Sequence, residues 1–150
     1  MFFGETAINL DAKGRLAIPI RYRDSVAEQC ENRMVLTYSA FDSGSLWLQS
    51  EKAWERVRDD VMALPNFNAS HRALQRRLVG SATAVEPDGS GRILLPPSLR
   101  GVAGLEKRVL LLGMDKRFEI WDEDTLNSKR AEEASKLDVK ASEDMERLVF

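Results

Sequence analysis

Asp11-Ala-Lys-Gly-Arg15-Leu-Ala-Ile-Pro19 returns later in the chain as Asp88-Gly-Ser-Gly-Arg92-Ile-Leu-Leu-Pro96. The aspartate, the glycine before the arginine, the arginine, the apolar triplet and the proline all recur at a constant offset of 77 residues. Solenoid repeats have shorter periods, about 20–50 residues, so the chain carries two copies of one small unit. Each copy lies near the lower size limit for an independent fold, and the two are expected to share a core. The duplicated element is a tight turn with an arginine just beyond it, a contact surface presented twice.

The formal net charge is −2, which at first disfavours a nucleic-acid partner. Residues 122–150, however, hold nine acids against five bases, leaving the rest of the chain at +2. A whole-chain charge does not exclude a local basic face, though one weakly basic copy is expected to bind a polyanion weakly. No apolar run approaches the roughly 18 residues needed to span a bilayer. The start, Met1-Phe2-Phe3-Gly4-Glu5, lacks the basic and long apolar regions of a signal peptide. Cys30 is the only cysteine, so no internal disulfide forms. These features point to the cytoplasm and to no membrane partner.

Apolar and polar residues alternate through Thr6-Ala-Ile8-Asn-Leu10, as in a half-buried strand. Asp11 to Gly14 then reads as a turn, with aspartate at its first position and glycine at the left-handed one. Arg15 to Ile18 forms a strand, and Pro19 suits the first turn of a helix over Ile20–Ala27, with Tyr22, Val26 and Ala27 facing the core. Met34–Tyr38 and Ser45–Leu48 are further strands, and Ser50 caps a helix. The second half repeats the order: Ser81–Val85, a turn over Glu86–Gly91, Arg92–Leu95, a short helix opened by Pro96-Pro97, then Arg108–Leu112 and Arg117–Trp121 closing a hairpin around Gly113–Lys116. Towards its end the offset falls to about 72, setting Leu46 against Phe118 and Leu48 against Ile120. Between the copies lie two helices, one ended by Pro65 and one over Ala69–Val79 with Ala73, Leu74 and Leu78 on one face. This divides the chain into repeat 1 (5–50), a helical connector (51–80), repeat 2 (81–124) and a charged tail (125–150), helical or partly disordered.

With one histidine (His71) and one cysteine (Cys30), no His/Cys metal site is available. Phosphate-loop and nucleophile-elbow patterns are absent, and Gly89-Ser-Gly91 is too short to mean nucleotide binding. Asp11 and Asp88 sit at equivalent positions, as paired carboxylates do in aspartic proteases. Each has an arginine four residues on, however, which disfavours a shared proton. The chain therefore reads as a non-enzyme, with no catalytic residues, cofactor or small-molecule substrate. Two readings of the turn stay open. In one, aspartate caps the turn, glycine supplies the positive φ and arginine closes an ion pair, all for structure. In the other, Arg15 and Arg92, with Lys13, Arg21 and Arg23, face a phosphate or a guanine edge. Arg72, Arg76 and Arg77 read as a solvated face. Trp47, Trp54 and Trp121 read as core or subunit contact.

Asp11-x-x-Gly14-Arg15-x-x-x-Pro19 with Arg21-Tyr22-Arg23 resembles the first motif of the MraZ family. Asp88-x-x-Gly91-Arg92-Ile-Leu-Leu-Pro96, with Leu99-Arg100, Ala103-Gly104-Leu105 and Phe118-Glu-Ile120-Trp121, resembles the second. The Met-Phe-x-Gly start fits as well, and the likeness covers about residues 1–125. It implies an α+β fold: a tandem of SpoVT/AbrB-like units whose two pseudo-symmetric repeats build a swapped-hairpin β-barrel, with connecting and C-terminal helices. It further implies a cytoplasmic, nucleoid-associated transcriptional regulator of the division and cell-wall gene cluster. Such a regulator binds direct repeats in double-stranded promoter DNA as a closed homo-oligomeric ring. Arg15 and Arg92 would contact DNA, with Lys13, Arg21 and Arg23 on phosphates, while Asp11, Gly14, Asp88 and Gly91 shape and orient the motif. Trp54, Trp121 and the Leu46/Phe118 region become candidate subunit contacts. An antitoxin-like or scaffold protein of the same fold, without a direct DNA role, is the alternative. Two departures stand out: Phe3 occupies a position that is basic in some relatives, and the second turn has no counterpart of Lys13.

Overall fold

Short apolar runs broken by Asp/Gly turns favour brief strands, and the helices begin where proline, serine or asparagine can start one. The computed structural model describes residues 1–150. Its first half contains β1 (Phe2–Asn9), β2 (Arg15–Ala17), α1 (Ile20–Gln29), β3 (Met34–Tyr38) and β4 (Ser45–Ser50). The connector is α2 (Glu51–Met62), α3 (Ala69–Gln75) and a π-helical turn (Arg76–Gly80). The second half repeats the order with β5 (Thr83–Val85), β6 (Arg92–Leu94), α4 (Pro97–Ala103), β7 (Arg108–Asp115) and β8 (Arg117–Asp122). The chain closes with α5 (Glu123–Lys136) and the single turn α6 (Glu143–Glu146). No helix is long and apolar enough to cross a membrane.

The two halves are interleaved. β2 and β6 form an antiparallel ladder in which Leu16 faces its own repeat-equivalent, Ile93. β4 and β8 pair so that Trp47 faces Glu119, flanked by Leu46–Ile120 and Leu48–Phe118. Equivalent residues meet at both places, so one pseudo-twofold axis runs through both ladders. The first strand of each half pairs with the third strand of the other: β1 with β7, from Phe2–Asp115 to Asn9–Arg108, and β5 with β3. The strands make an open six-stranded antiparallel sheet in the order β1-β7-β8-β4-β3-β5, with the β2–β6 ladder separate. The strands of the expected swapped-hairpin β-barrel do not close into a barrel. β1 and β5 remain sheet edges, because each pairs on one side only.

The main core fills one face of this sheet, and Leu16, Ile18, Ile93, Leu95, Leu111, Phe118 and Ile120 are almost wholly excluded from solvent within it. On the opposite face the connector covers Trp47 with Val61 and Leu78, while α5 covers Leu110 and Trp121 with Leu126. Burial on both faces explains why β3 and β4 are almost continuously buried instead of alternating. It also corrects the reading of Leu46, Phe118 and Trp121 as subunit contacts, since their own chain encloses them. Trp54 is half-buried, its indole N–H donating to the Leu78 carbonyl. Cys30 is buried, and burial pushes its thiol pKa up.

Local differences have local causes. The second connector helix ends in the π turn, and Ala73 on α3 and Ala27 on α1 are exposed instead of facing the core. The closing hairpin turns at Asp115 and Lys116, at the end of the expected Gly113–Lys116 span. Asp115 takes a φ of 66°, and Gly113 lies inside β7 where the β1 backbone passes too close for a side chain. Arg77 is not merely solvated. It donates to the carbonyls of Ser39 and Asp42, tying the β3–β4 loop to the connector.

Candidate nucleic-acid interface

The duplicated turns are built alike. In the first, the Gly14 N–H donates to the Asp11 carbonyl at 2.9 Å, and the Lys13 and Arg15 N–H groups donate to Asp11 Oδ1, each at 2.9 Å. In the second, Gly91 donates to the Asp88 carbonyl, and Ser90 and Arg92 donate to Asp88 Oδ1, again all at 2.9 Å. Gly14 and Gly91 take φ values of 79° and 73°, a left-handed conformation that glycine adopts without steric cost.

Each aspartate then uses its second oxygen on its arginine. Arg15 Nε lies 2.6 Å from Asp11 Oδ2, and Arg92 Nε lies 3.0 Å from Asp88 Oδ2. Each guanidinium donates a single hydrogen bond, through Nε, and the Nη nitrogens of both arginines make no hydrogen bond within the chain. Alternation along the ladder sends Leu16 and Ile93 into the core. Arg15, Ala17, Arg92 and Leu94 therefore face outward, with Arg15 opposite Leu94 and Ala17 opposite Arg92. Arg15 and Arg92 are thus diagonal neighbours, with Cα atoms about 7–8 Å apart.

Hydrogen bonding keeps both carboxylates ionised. Asp11 is lowered from its ordinary 3.8 to about 2, chiefly by the Arg15 backbone N–H, with further help from the Arg15 guanidinium and the Lys13 N–H. Asp88 is lowered in the same way, first by the Arg92 N–H. Two anions each committed to its own arginine do not share a proton, so the carboxylate pair lacks the chemistry of an acid protease. A carboxylate pKa depressed by folding stabilises the fold above its unfolded value and loses that effect as pH falls through the folded one. Thermal unfolding between pH 5 and 2 is therefore expected to show wild type losing more stability below about pH 4 than an Asp11→Asn/Asp88→Asn double variant. Parallel losses in the two proteins would contradict it.

The remaining bases named from the sequence are placed differently. Lys13 is exposed at the tip of the first turn. Arg21 is exposed and grips the edge strand, donating to Thr6 Oγ1 at 2.6 Å and to the Glu5 carbonyl at 3.3 Å. Arg23 is turned onto the other half's turn: its Nε donates to the Ile18 carbonyl at 2.9 Å, and its guanidinium lies against Gly91. Arg100 does the same towards Leu95 and Gly14. Arg100 was not singled out from the sequence as a site residue. The repeat offset was the available signal, since it maps Arg23 onto Arg100.

A family model described as "MraZ protein, putative antitoxin-like" matches the chain twice, over residues 1–77 and 78–148. The chain belongs to the MraZ family. A protein named transcriptional regulator MraZ from Stenotrophomonas maltophilia is 57% identical over 123 residues, 82% of this chain and 83% of that relative. One of the same name from Xanthomonas campestris pv. campestris is 54% identical over the same coverage. Another from Thioalkalivibrio sulfidiphilus is 51% identical over 132 residues, 88% of this chain and 87% of the relative. The two MraZ matches meet between residues 77 and 78, in register with the repeat, so each match contains one Asp-x-x-x-Arg turn.

Proposed function

We propose that this MraZ-family chain is a transcriptional regulator that binds promoter DNA through the β2–β6 ladder. The observation that carries the reading is the pair of outward-facing arginines, each held at Nε by an aspartate and free at its Nη nitrogens. A two-stranded β-ribbon fits the major groove of B-DNA, and a guanidinium presents two parallel donors to guanine O6 and N7. Fixing Nε in advance lowers the entropic cost of that contact. In this reading Arg15 and Arg92 contact bases or phosphates, the exposed Lys13 and Arg21 contact phosphates, and Asp11 and Asp88 orient the two arginines. The relatives' name, transcriptional regulator, supports the same role.

The exchanged pairing of β1 with β7 and of β5 with β3 supports two SpoVT/AbrB-like units, residues 5–50 and 81–124, acting as a pseudo-dimer within one chain. One such unit carries few positive charges, so useful affinity calls for several held together. A closed ring binding direct repeats upstream of the division and cell-wall genes would supply it through effective concentration. The protein then works in the cytoplasm, at the nucleoid. Gel retardation on DNA upstream of the chain's own gene tests this. Binding is expected to weaken steeply as salt rises, with log K linear in log salt, and to exceed binding to scrambled DNA at every salt concentration. Equal binding to both DNAs would overturn sequence-specific regulation, and binding to neither would favour an antitoxin-like or scaffold role.

A further inference from the structure

We propose that Arg23 and Arg100 are positioning residues acting across the pseudo-twofold axis, each belonging to one half of the chain and bracing the Asp–Arg turn of the other. The contacts are reciprocal. Arg100, on α4, donates Nε to the Leu95 carbonyl at 3.1 Å, and the Leu95 N–H donates to the Gly14 carbonyl at 3.1 Å. Arg23, on α1, donates Nε to the Ile18 carbonyl at 2.9 Å, and the Ile18 N–H donates to the Gly91 carbonyl at 2.8 Å. Each guanidinium also lies directly on the glycine it serves. A Cβ built on Gly14 would stand 2.7 Å from Arg100 Nε, and one on Gly91 would stand 2.5 Å from Arg23 Nε. The glycines therefore serve two purposes: positive φ for the turn, and a bare backbone surface for an arginine from the opposite half.

Each glycine N–H then donates to its aspartate's carbonyl, and each aspartate carboxylate holds its arginine. Two chains of contact result. One runs Arg100–Leu95–Gly14–Asp11–Arg15 and the other Arg23–Ile18–Gly91–Asp88–Arg92. Both begin in one half and end in the other. Neither Arg23 nor Arg100 forms an ion pair, and both are half-buried, so their hydrogen bonds go to backbone carbonyls. The geometry makes the outward-facing pair a coupled unit: disturbing the brace in one half displaces the arginine of the other.

The proposal rests on the DNA-binding reading for its effect on DNA but not for its effect on the free protein, and two measurements separate these. The first is hydrogen exchange with mass spectrometry on the full-length protein without DNA. Arg100→Gln is expected to speed exchange about fivefold or more in the 11–15 turn, as loss of one net hydrogen bond would, and to leave the 88–92 turn unchanged. Arg23→Gln is expected to do the reverse. The second is a double-mutant cycle on double-stranded upstream DNA, read by titration at low salt, where variants that no longer retard DNA in a gel still bind measurably. Arg100→Gln should add little to the defect of Arg15→Ala, yet its effect should multiply with that of Arg92→Ala.

Effects confined to each arginine's own half, or spread evenly over both turns, would overturn the brace. So would full multiplicativity in both cycles. If wild type binds no DNA, the DNA-binding reading fails, and the exchange pattern still decides the brace. Should Arg100→Gln not fold, Arg100→Lys, which keeps the stem and charge, takes its place. Loss of folding in both would leave a purely structural role and refute the positioning one.

Discussion

Replacing Arg15 with alanine is expected to remove retardation of promoter DNA while leaving fold and assembly size unchanged. Arg15 packs nothing into the core. It projects from the solvent face of a three-residue strand whose inward residue is Leu16. What it offers DNA is a guanidinium already fixed by Asp11. One bidentate arginine–guanine contact is worth about 1–3 kcal/mol, roughly 5- to 150-fold in affinity. In an assembly that binds through several copies at once, the losses multiply. Gel retardation with size-exclusion chromatography on the same preparation checks both halves of the expectation. An Arg15→Ala protein that binds like wild type would remove the central functional claim. The Arg92→Ala defect is expected to be smaller, because the first turn also carries Lys13 and the second has Ser90 in its place.

Phe118→Ala is expected to cost about 3–5 kcal/mol of stability, the usual range for emptying a buried phenylalanine site. Phe118 is fully buried on β8, stacked on Phe2 of β1 with ring centroids 4.2 Å apart and edge-on to Tyr22 of α1 at 5.0 Å. Phe2 and Tyr22 belong to the first half and Phe118 to the second. The cavity therefore opens where the halves join, and neither half can close it alone. Since proteins of this size are stable by only about 5–15 kcal/mol, the variant should sit close to unfolding. Urea denaturation should show a lower midpoint with an unchanged slope. A cost below about 1 kcal/mol would mean that the site collapses around the gap, and that the aromatic cluster is not what joins the halves.

Much of the candidate site was legible because turns are local. Aspartate at the first position, glycine at the left-handed position and arginine four residues on specify the hydrogen bonds seen at both turns. The ion pairs Asp11–Arg15 and Asp88–Arg92 follow from the same spacing. Residues acting through distant partners were not legible in this way. Arg23 reads from the sequence as one more surface base beside the motif, because nothing near it in the chain reveals Gly91, 68 positions away. Arg100 lies outside the repeated nonapeptide, and the sequence shows it only as part of the second family motif, with no partner indicated. Leu46, Phe118 and Trp121 show the same limit in the core. Their hydrophobicity announces burial but not whether their own chain or a second copy supplies the cover.

The duplication, the two Asp–Arg turns, the order of strands and helices, and membership of the MraZ family all follow from the amino-acid sequence, because each depends on neighbours a few positions apart or on the copy itself. The exchange of first strands between halves, the open sheet in place of a barrel, the enclosure of Trp121 by α5 and the reciprocal seating of Arg23 and Arg100 do not. These depend on contacts between residues far apart in the chain. Such contacts are chosen by how two half-sized units, each too small to close a core alone, bury their apolar faces against one another.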